Sequence, residues 1–236
     1  MNVDRTDHVS GQAIPTAPIA DALVRLGVDI RLAPPGIRRI TPGEPVAGPA
    51  VPCRHGGSVD VFLEAITGAP QGAVLVIDNE GRSDEGCIGD LVVAEAKGAG
   101  LAGIVVWGHH RDTAAIRGIG LPVWSLGSVP PGPRQKRAVD ADPFASARVG
   151  DAVVERSDVV VADDDGVLFV AVDEWARVAE IASRIMEVEG RQAALIASGT
   201  PLRDQLRFEE FLARRRQDPS YTLRQHLVEV GGAIET

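Results

Sequence analysis

Ala73-Val74-Leu75-Val76-Ile77-Asp78 and, further along, Gly103-Ile104-Val105-Val106-Trp107 are the stretches that decide the fold. Each is a short apolar run rich in β-branched residues, with glycine or asparagine beside it, which is the pattern of a strand buried on both faces. Between them lie a glycine-containing loop, 81–89, and a segment from Leu91 to Gly98. The spacing of that segment predicts a helix capped by Asp90 and stopped by the Gly98/Gly100 pair. Strand, helix and strand make a β-loop-α-β unit, and the handedness of such crossovers favours parallel strands.

Working outward, Arg111 to Gly118 predicts a short helix and Leu121 to Leu126 a third strand, after which Pro130, Pro131 and Pro133 break the pattern. Asp158 to Ala162 and Val167 to Ala171 read as two strands joined by the Asp163-Asp164-Asp165-Gly166 turn, a hairpin. Asp173 to Glu189 is an amphipathic helix with Trp175, Val178, Ile181, Ala182 and Ile185 inward, and Gly190 ends or bends it. Toward the N-terminus, Ser58 to Thr67 predicts a helix, and the proline-rich stretch 34–52 reads as loop and short edge strands. Residues 15–27 predict a helix with Thr16 as its cap, Pro18 in its first turn and Gly27 at its end. Residues 1–10 are polar and expected to be frayed. The stretch from Pro201 to Thr236 is Arg-rich and helical around Leu202, Leu206, Phe208, Phe211 and Leu212. It either packs on a neighbouring subunit or folds back on its own domain.

Composition narrows the function. Of 236 residues, 44% are hydrophobic and 24% charged, an ordinary globular balance that excludes a disordered chain. Aromatic residues are only 4%, so Val, Ile, Leu and Ala must fill the core, which suits closely packed β/α layers. No apolar run reaches the roughly 18 residues of a membrane span. The N-terminus lacks an apolar signal region, and two cysteines make no disulfide framework, so the cytoplasm is the expected compartment. A formal net charge of -9 argues against gripping nucleic acid through its phosphates and leaves a basic protein segment open as a partner.

Two loops carry candidate chemistry. In Gly86-Cys87-Ile88-Gly89-Asp90-Leu91, glycines precede a helix N-terminus, whose free N–H groups and dipole favour an anion. The bland alternative makes Asp90 a plain N-cap. Gly108-His109-His110-Arg111-Asp112 follows the second strand directly. Parallel sheets bind ligands at the carboxyl ends of their strands, so Asp90 and Arg111-Asp112 are expected to share one cleft. Arg111 would offer a forked donor to a carboxylate, and Asp112 a hard oxygen to Mg²⁺. The alternatives are an Arg-Asp surface pair, or Asp112 capping a helix at Thr113. One of His109 and His110 is expected to line the cleft and the other to pack, because neighbours on an extended chain face opposite sides. No HExxH or GxSxG is present, Cys53 and Cys87 lack a nucleophile setting, and the Asp163–Asp165 run reads as a hairpin rather than a calcium loop.

Gly86-x-x-Gly89-Asp90-Leu91, Ala96-x3-Gly100-x2-Gly103-Ile104-Val105-Val106 and Gly108-x-x-Arg111-Asp112 together resemble the regulator of ribonuclease activity A family, which includes the class II 4-hydroxy-4-methyl-2-oxoglutarate aldolases. Asp21-Ala22-Leu23, Pro122-Val123-Trp124 and the 158–167 hairpin agree, and the resemblance covers residues 15–185. It implies an α/β chain with a swivelling-type β/β/α domain over 10–190 and a C-terminal helical extension over 191–236. It implies a homotrimer or dimer of trimers with sites at subunit interfaces, and Mg²⁺ or Mn²⁺ as cofactor. Carried over residue by residue, Gly89, Asp90, Leu91 and Val92 would bind the pyruvyl part of a small 2-keto acid, a pyruvate- or oxaloacetate-like molecule. Arg111 would bind substrate and stabilise the oxyanion, Asp112 would ligate the metal, and Asp90 would hold the metal through water or position a water base. His110 is the histidine expected at the substrate. The implied activity is metal-dependent aldol cleavage or β-decarboxylation through a pyruvate enolate, without a lysine Schiff base. The family also holds non-enzymatic members that bind proteins, and a diverged member would act on another carboxylate or phosphate. Trp107, His109 and His110 depart from the aldolase pattern, which puts the substrate in question.

Overall fold

The computed structural model describes residues 14–134, 136–137 and 142–231. The expected frayed start, 1–10, lies outside them. Four parallel strands form the spine: β3 (Val46–Arg54), β4 (Val74–Asp78), β6 (Gly103–Trp107) and β8 (Val123–Ser125). In chain order they follow β1 (Arg31–Leu32) and β2 (Arg38–Arg39), and β5 (Gly86–Ile88), β7 (His109–His110) and β9 (Gly127–Ser128) form a separate three-stranded parallel sheet beside them. A short hairpin, β10 (Ser146–Val149) with β11 (Ala152–Glu155), precedes the antiparallel pair β12 (Asp158–Ala162) and β13 (Val167–Ala171). The large sheet runs β1-β13-β12-β3-β4-β6-β8-β2.

That order forces curvature. Laid flat, eight strands span roughly 34 Å, at about 4.8 Å per neighbour. Yet β1 and β2, at opposite ends, are joined by residues 33–37, whose fully extended reach is about 21 Å. The sheet therefore curls toward closure. Alternation along each strand then separates an inside from an outside. Val74 and Val76 of β4, Val160 and Ala162 of β12, and Trp124 of β8 face one interior cluster, which Ala147, Val149 and Val154 of the β10–β11 hairpin also enter. Leu75 and Ile77 face outward under α2 (Asp60–Thr67), α3 (Asp90–Gly98) and α4 (Thr113–Ile119). Val159 and Val161 face α1 (Thr16–Leu26) and α5 (Val172–Ala197). The curled sheet with its inner hairpin, the small parallel sheet and an outer helical layer give the expected swivelling-type β/β/α architecture, with helices at the C-terminus.

Several expectations are corrected. The proline-rich stretch contains a nine-residue central strand, β3. Residues 46–49 pair with β12 on one side and 50–54 with β4 on the other, so Pro49 and Pro52 each have one unpaired flank, the tolerance a proline needs. Thr16 is not a cap. It is the first residue of α1, and its N–H and hydroxyl both donate to the buried Asp163 carboxylate, each at 2.7 Å. Asp90 is likewise the first helical residue of α3, with the extended Gly89 at the cap position. Gly190 does not end α5, which runs on to Ala197, because strong helix formers such as Glu187, Glu189 and Ala193 flank that glycine. The expected domain boundary at residue 190 thus falls inside a helix.

The tail forms α6 (Leu202–Gln205), α7 (Phe208–Gln217) and α8 (Leu223–Val230). It builds a small core of its own: Phe211 packs between the rings of Phe208, Tyr221 and His226, and His226 Nε2 lies 2.9 Å from the Leu206 carbonyl. Gln205 Nε2 ties it to the Gln192 carbonyl of α5 at 3.2 Å. No helix among the described residues is long and apolar enough to cross a membrane.

Candidate functional site

The three-stranded sheet exists because short strands continue the loops that leave β4, β6 and β8. Its closeness depends on glycine. A Cβ at Gly86 would lie 2.8 Å from the His110 carbonyl carbon and 3.0 Å from the Arg111 nitrogen. A Cβ at Gly89 would lie 2.4 Å from Asp112 Oδ2 and 3.3 Å from Arg111 Nε. The absence of side chains at these two positions lets the Gly89-Asp90 loop seat against the Arg111-Asp112 pair.

Asp112 itself occupies the left-handed region at φ 60°, a conformation Asp tolerates better than most residues, and its carboxylate lies 3.4 Å from Arg111 Nε. Its side chain makes no cap bond to α4, which removes the capping alternative. Asp90 Oδ1 accepts from the Leu91 N–H at 2.8 Å. At the start of a helix the first amides have no intrahelical partner, so those of α3 other than the Leu91 amide can serve an anion.

A cavity of about 300 Å³ is lined by Gly89, Asp90, Leu91, Val92 and Arg111 together with His55, Ser58 and Gly86. A second, of about 270 Å³, is lined by Arg111, Asp112, Thr113 and Ser128, so Arg111 borders both. A larger cavity of about 810 Å³ between β3 and α2 has only Glu64 and Arg156 as charged lining and lies apart from these groups. The structure thus gathers Gly89, Asp90, Leu91, Val92, Arg111 and Asp112 in one region.

It does not gather the histidines singled out from sequence. His110 is buried, with Nδ1 2.8 Å from Ser125 Oγ and Nε2 2.9 Å from Thr113 Oγ1, so both ring nitrogens are engaged and it lines neither cavity. Its expected place at the substrate is corrected on that ground. His109 Nδ1 lies 3.0 Å from the Arg82 carbonyl, and Trp107 packs over the turn at Gly81. Burial keeps both thiols protonated, pushing Cys53 up to about 12 and Cys87 up as well, so neither is a nucleophile.

The residue that sequence reasoning missed is His55. It follows β3 directly, as Arg111 follows the β6–β7 segment, and the rule that ligands gather at the carboxyl ends of parallel strands would have found it had β3 been recognised. Its Nδ1 lies 2.9 Å from Asn79 Oδ1, its ring stacks on Phe62 at 4.8 Å, and burial lowers its affinity for a proton. Arg137 Nη2 also donates to Asn79 Oδ1 at 2.9 Å, and Arg137 Nη1 pairs with the buried Glu85 at 2.9 Å.

Comparison with known proteins agrees with this architecture. The RraA-like family model, described as Aldolase/RraA, matches residues 16–169. Protein DlpA of Legionella pneumophila is 29% identical over 193 residues, 79% of this chain and 31% of DlpA. A Bacillus cereus protein named "Putative 4-hydroxy-4-methyl-2-oxoglutarate aldolase" is 31% identical over 105 residues, 44% of this chain and 65% of that protein. The chain thus spans about a third of the first relative and just under two thirds of the second. Among solved structures, Streptomyces coelicolor RraAS2, described as an unusual member of the RNase ES inhibitor RraA protein family, superimposes with a TM-score of 0.66 at 28% identity, covering 82% of this chain and 96% of that one.

Proposed function

The chain belongs to the RraA-like family, and from that premise we propose that it is a divalent-metal-dependent carbon–carbon lyase acting on a small 2-keto acid. The observation that carries the reading is the contact of the Gly89 backbone with Arg111 and Asp112, which brings an anion-accepting helix start, a forked cation and a carboxylate together. In this reading the Asp90 and Val92 amides at the start of α3 hold the substrate carboxylate, the Leu91 amide being taken by the Asp90 side chain. Arg111 reaches the same cavity and stabilises negative charge growing on the keto oxygen.

The donor set fits Mg²⁺ or Mn²⁺. Asp112 offers hard oxygen beside the Gly89 cradle, Asp90 offers a second carboxylate nearby, and Mg²⁺ needs only one or two carboxylates while keeping its waters. Among the described residues no three His, Cys, Asp or Glu side chains converge. When bound, the cation would supply Lewis acidity to the 2-keto acid. Arg111 and Asp112 keep 48% and 41% of their side-chain surface exposed, as befits a site that a neighbouring subunit completes, and a homotrimer or dimer of trimers belongs to the same reading.

The test is pyruvate release from oxaloacetate and from 4-hydroxy-4-methyl-2-oxoglutarate with Mg²⁺, with Mn²⁺ and after EDTA. Release that needs metal and disappears in Asp112→Ala is expected. Release unchanged by EDTA and by that substitution would overturn the reading. A second reading, a regulator that binds a protein, is favoured by the near-complete coverage of RraAS2 and by the -9 charge. A folded protein without turnover that captures a stoichiometric partner at low salt would select it.

A further inference from the structure

The resemblance offers the lyase reading a water at Asp90 as base, and the cavity holds a second group able to move the same proton. Aldol cleavage of a 4-hydroxy-2-keto acid must remove the hydroxyl proton, and the enolate it leaves must gain one. His55 meets the geometric conditions for that task. It lines the same cavity as Asp90 and Arg111, yet its side chain is almost wholly enclosed by protein.

Its tautomer is set by its neighbours. Asn79 is fully buried, and its side-chain oxygen accepts from Arg137 Nη2 at 2.9 Å; a guanidinium only donates, so that atom is the acceptor. His55 Nδ1, 2.9 Å from the same oxygen, must therefore carry the hydrogen. The lone pair is left on Nε2. Among the described residues Nε2 has no hydrogen-bond partner, and it is not among the solvent-excluded orphan nitrogens, Asn79 Nδ2, Arg82 Nε and Arg137 Nε. His55 lines the cavity, so this unpaired nitrogen is the one its ring can offer to a molecule bound there.

The charged groups around the ring are Glu85, whose Oε1 lies 4.0 Å from Nδ1, Arg137 behind Asn79, and Asp60 at the start of α2. The Phe62 ring covers one face. Burial outweighs the carboxylates and favours the neutral ring, the form in which Nε2 is a base.

Resting on the lyase reading, we propose that His55 is the proton-transfer residue of this cavity in aldol cleavage. Nε2 takes the hydroxyl proton. The C3–C4 bond breaks, its electron pair stays with C3 as the pyruvate enolate, and C4–O becomes a carbonyl. The imidazolium then returns the proton to C3, giving the methyl group of pyruvate and a neutral ring. Asn79 and, through it, Arg137 and Glu85 are positioning residues.

The two candidate reactions separate this role from a structural one. Decarboxylation of oxaloacetate has no hydroxyl proton to remove, and its enolate can be protonated by water. His55→Asn should lose aldol cleavage of 4-hydroxy-4-methyl-2-oxoglutarate by about 10²–10⁴-fold, while CO₂ release from oxaloacetate stays within about tenfold. The acid limb of the wild-type cleavage rate should vanish in the variant. Equal loss of both reactions, or no loss of cleavage, overturns the role of His55 while the lyase reading stands. A wild-type protein that performs neither reaction overturns the lyase reading instead. Should His55→Asn not fold, ¹⁵N spectra of the wild-type histidines decide: hydrogen on Nδ1 and an Nε2 signal that moves on adding oxalate support the assignment, and hydrogen on Nε2 refutes it.

Discussion

Adding one methyl group at Gly89 should silence the site without unfolding the protein. Gly89 has φ -135° and ψ -167°, an extended conformation open to alanine, so the backbone imposes no penalty. The new Cβ would lie 2.4 Å from Asp112 Oδ2, and 3.4 Å is the near limit of ordinary contact, so that oxygen must retreat by about 1 Å. It can do so cheaply, because it is the end of a side chain that is 41% exposed. The stability cost should stay below about 1 kcal/mol. A 1 Å misplacement of a working group costs about 100-fold in rate, or about 2.7 kcal/mol of transition-state stabilisation. Gly86→Ala supplies the contrast. Its Cβ would meet the backbone at His110 and Arg111 at 2.8 and 3.0 Å, which cannot swing aside, so it should destabilise by about 1–3 kcal/mol. Urea midpoints and a coupled pyruvate assay measure both quantities. A Gly89→Ala protein with wild-type kcat/KM, or one destabilised as much as Gly86→Ala, would refute the reasoning.

Three further outcomes are expected. Burial lowers the proton affinity of both His55 and His110, so the unfolded chain binds protons below the ordinary value of 6.5 that the folded one refuses. Stability is then complete above that pH and falls as pH drops below it; a urea midpoint equal at pH 7.5 and 5.5 would contradict this. Asp163→Ala strips the start of α1 of two bonds to a buried carboxylate and should cost about 3 kcal/mol. That corresponds to a Tm drop of roughly 6–12 °C by calorimetry, and a shift under about 2 °C would show that the contact carries little. Phe211→Ala should open the tail to limited proteolysis while the main thermal transition stays put, since that ring belongs to the tail's own cluster; cleavage within the β/α domain would count against two separate units.

The legible parts of the fold were those whose pattern is local. β4, β6 and β12 are runs of mostly β-branched residues and β13 is a wholly apolar run, and each declares itself within five positions. β3 does not, because its prolines argue against a central strand until one sees that its two halves pair on opposite sides. The site divides in the same way. Gly89, Asp90, Arg111 and Asp112 stand in two loops that a spacing rule can connect. His55 depends on Asn79, 24 positions away, and on Arg137, 58 positions beyond Asn79, and no window of sequence holds all three. His110 misled for the opposite reason: alternation along an extended chain said that one histidine of the pair would face the cleft, but the partners of His110, Ser125 and Thr113, turn it into the packing between β8 and α4.

The divided pairing of β3 also orders events during synthesis. Its second half bonds to β4, only about twenty residues later, whereas its first half bonds to β12, which is made more than a hundred residues later. A growing chain can join β3, β4, β6 and β8 while residues 158–171 are still inside the ribosome, and contacts close in sequence form fastest. For that interval Val46 to Pro49 present an open edge, and open edges recruit other chains. The single proline and the glycine of this segment, poor material for pairing with a stranger, would then act as a guard on the nascent protein until its own late hairpin arrives.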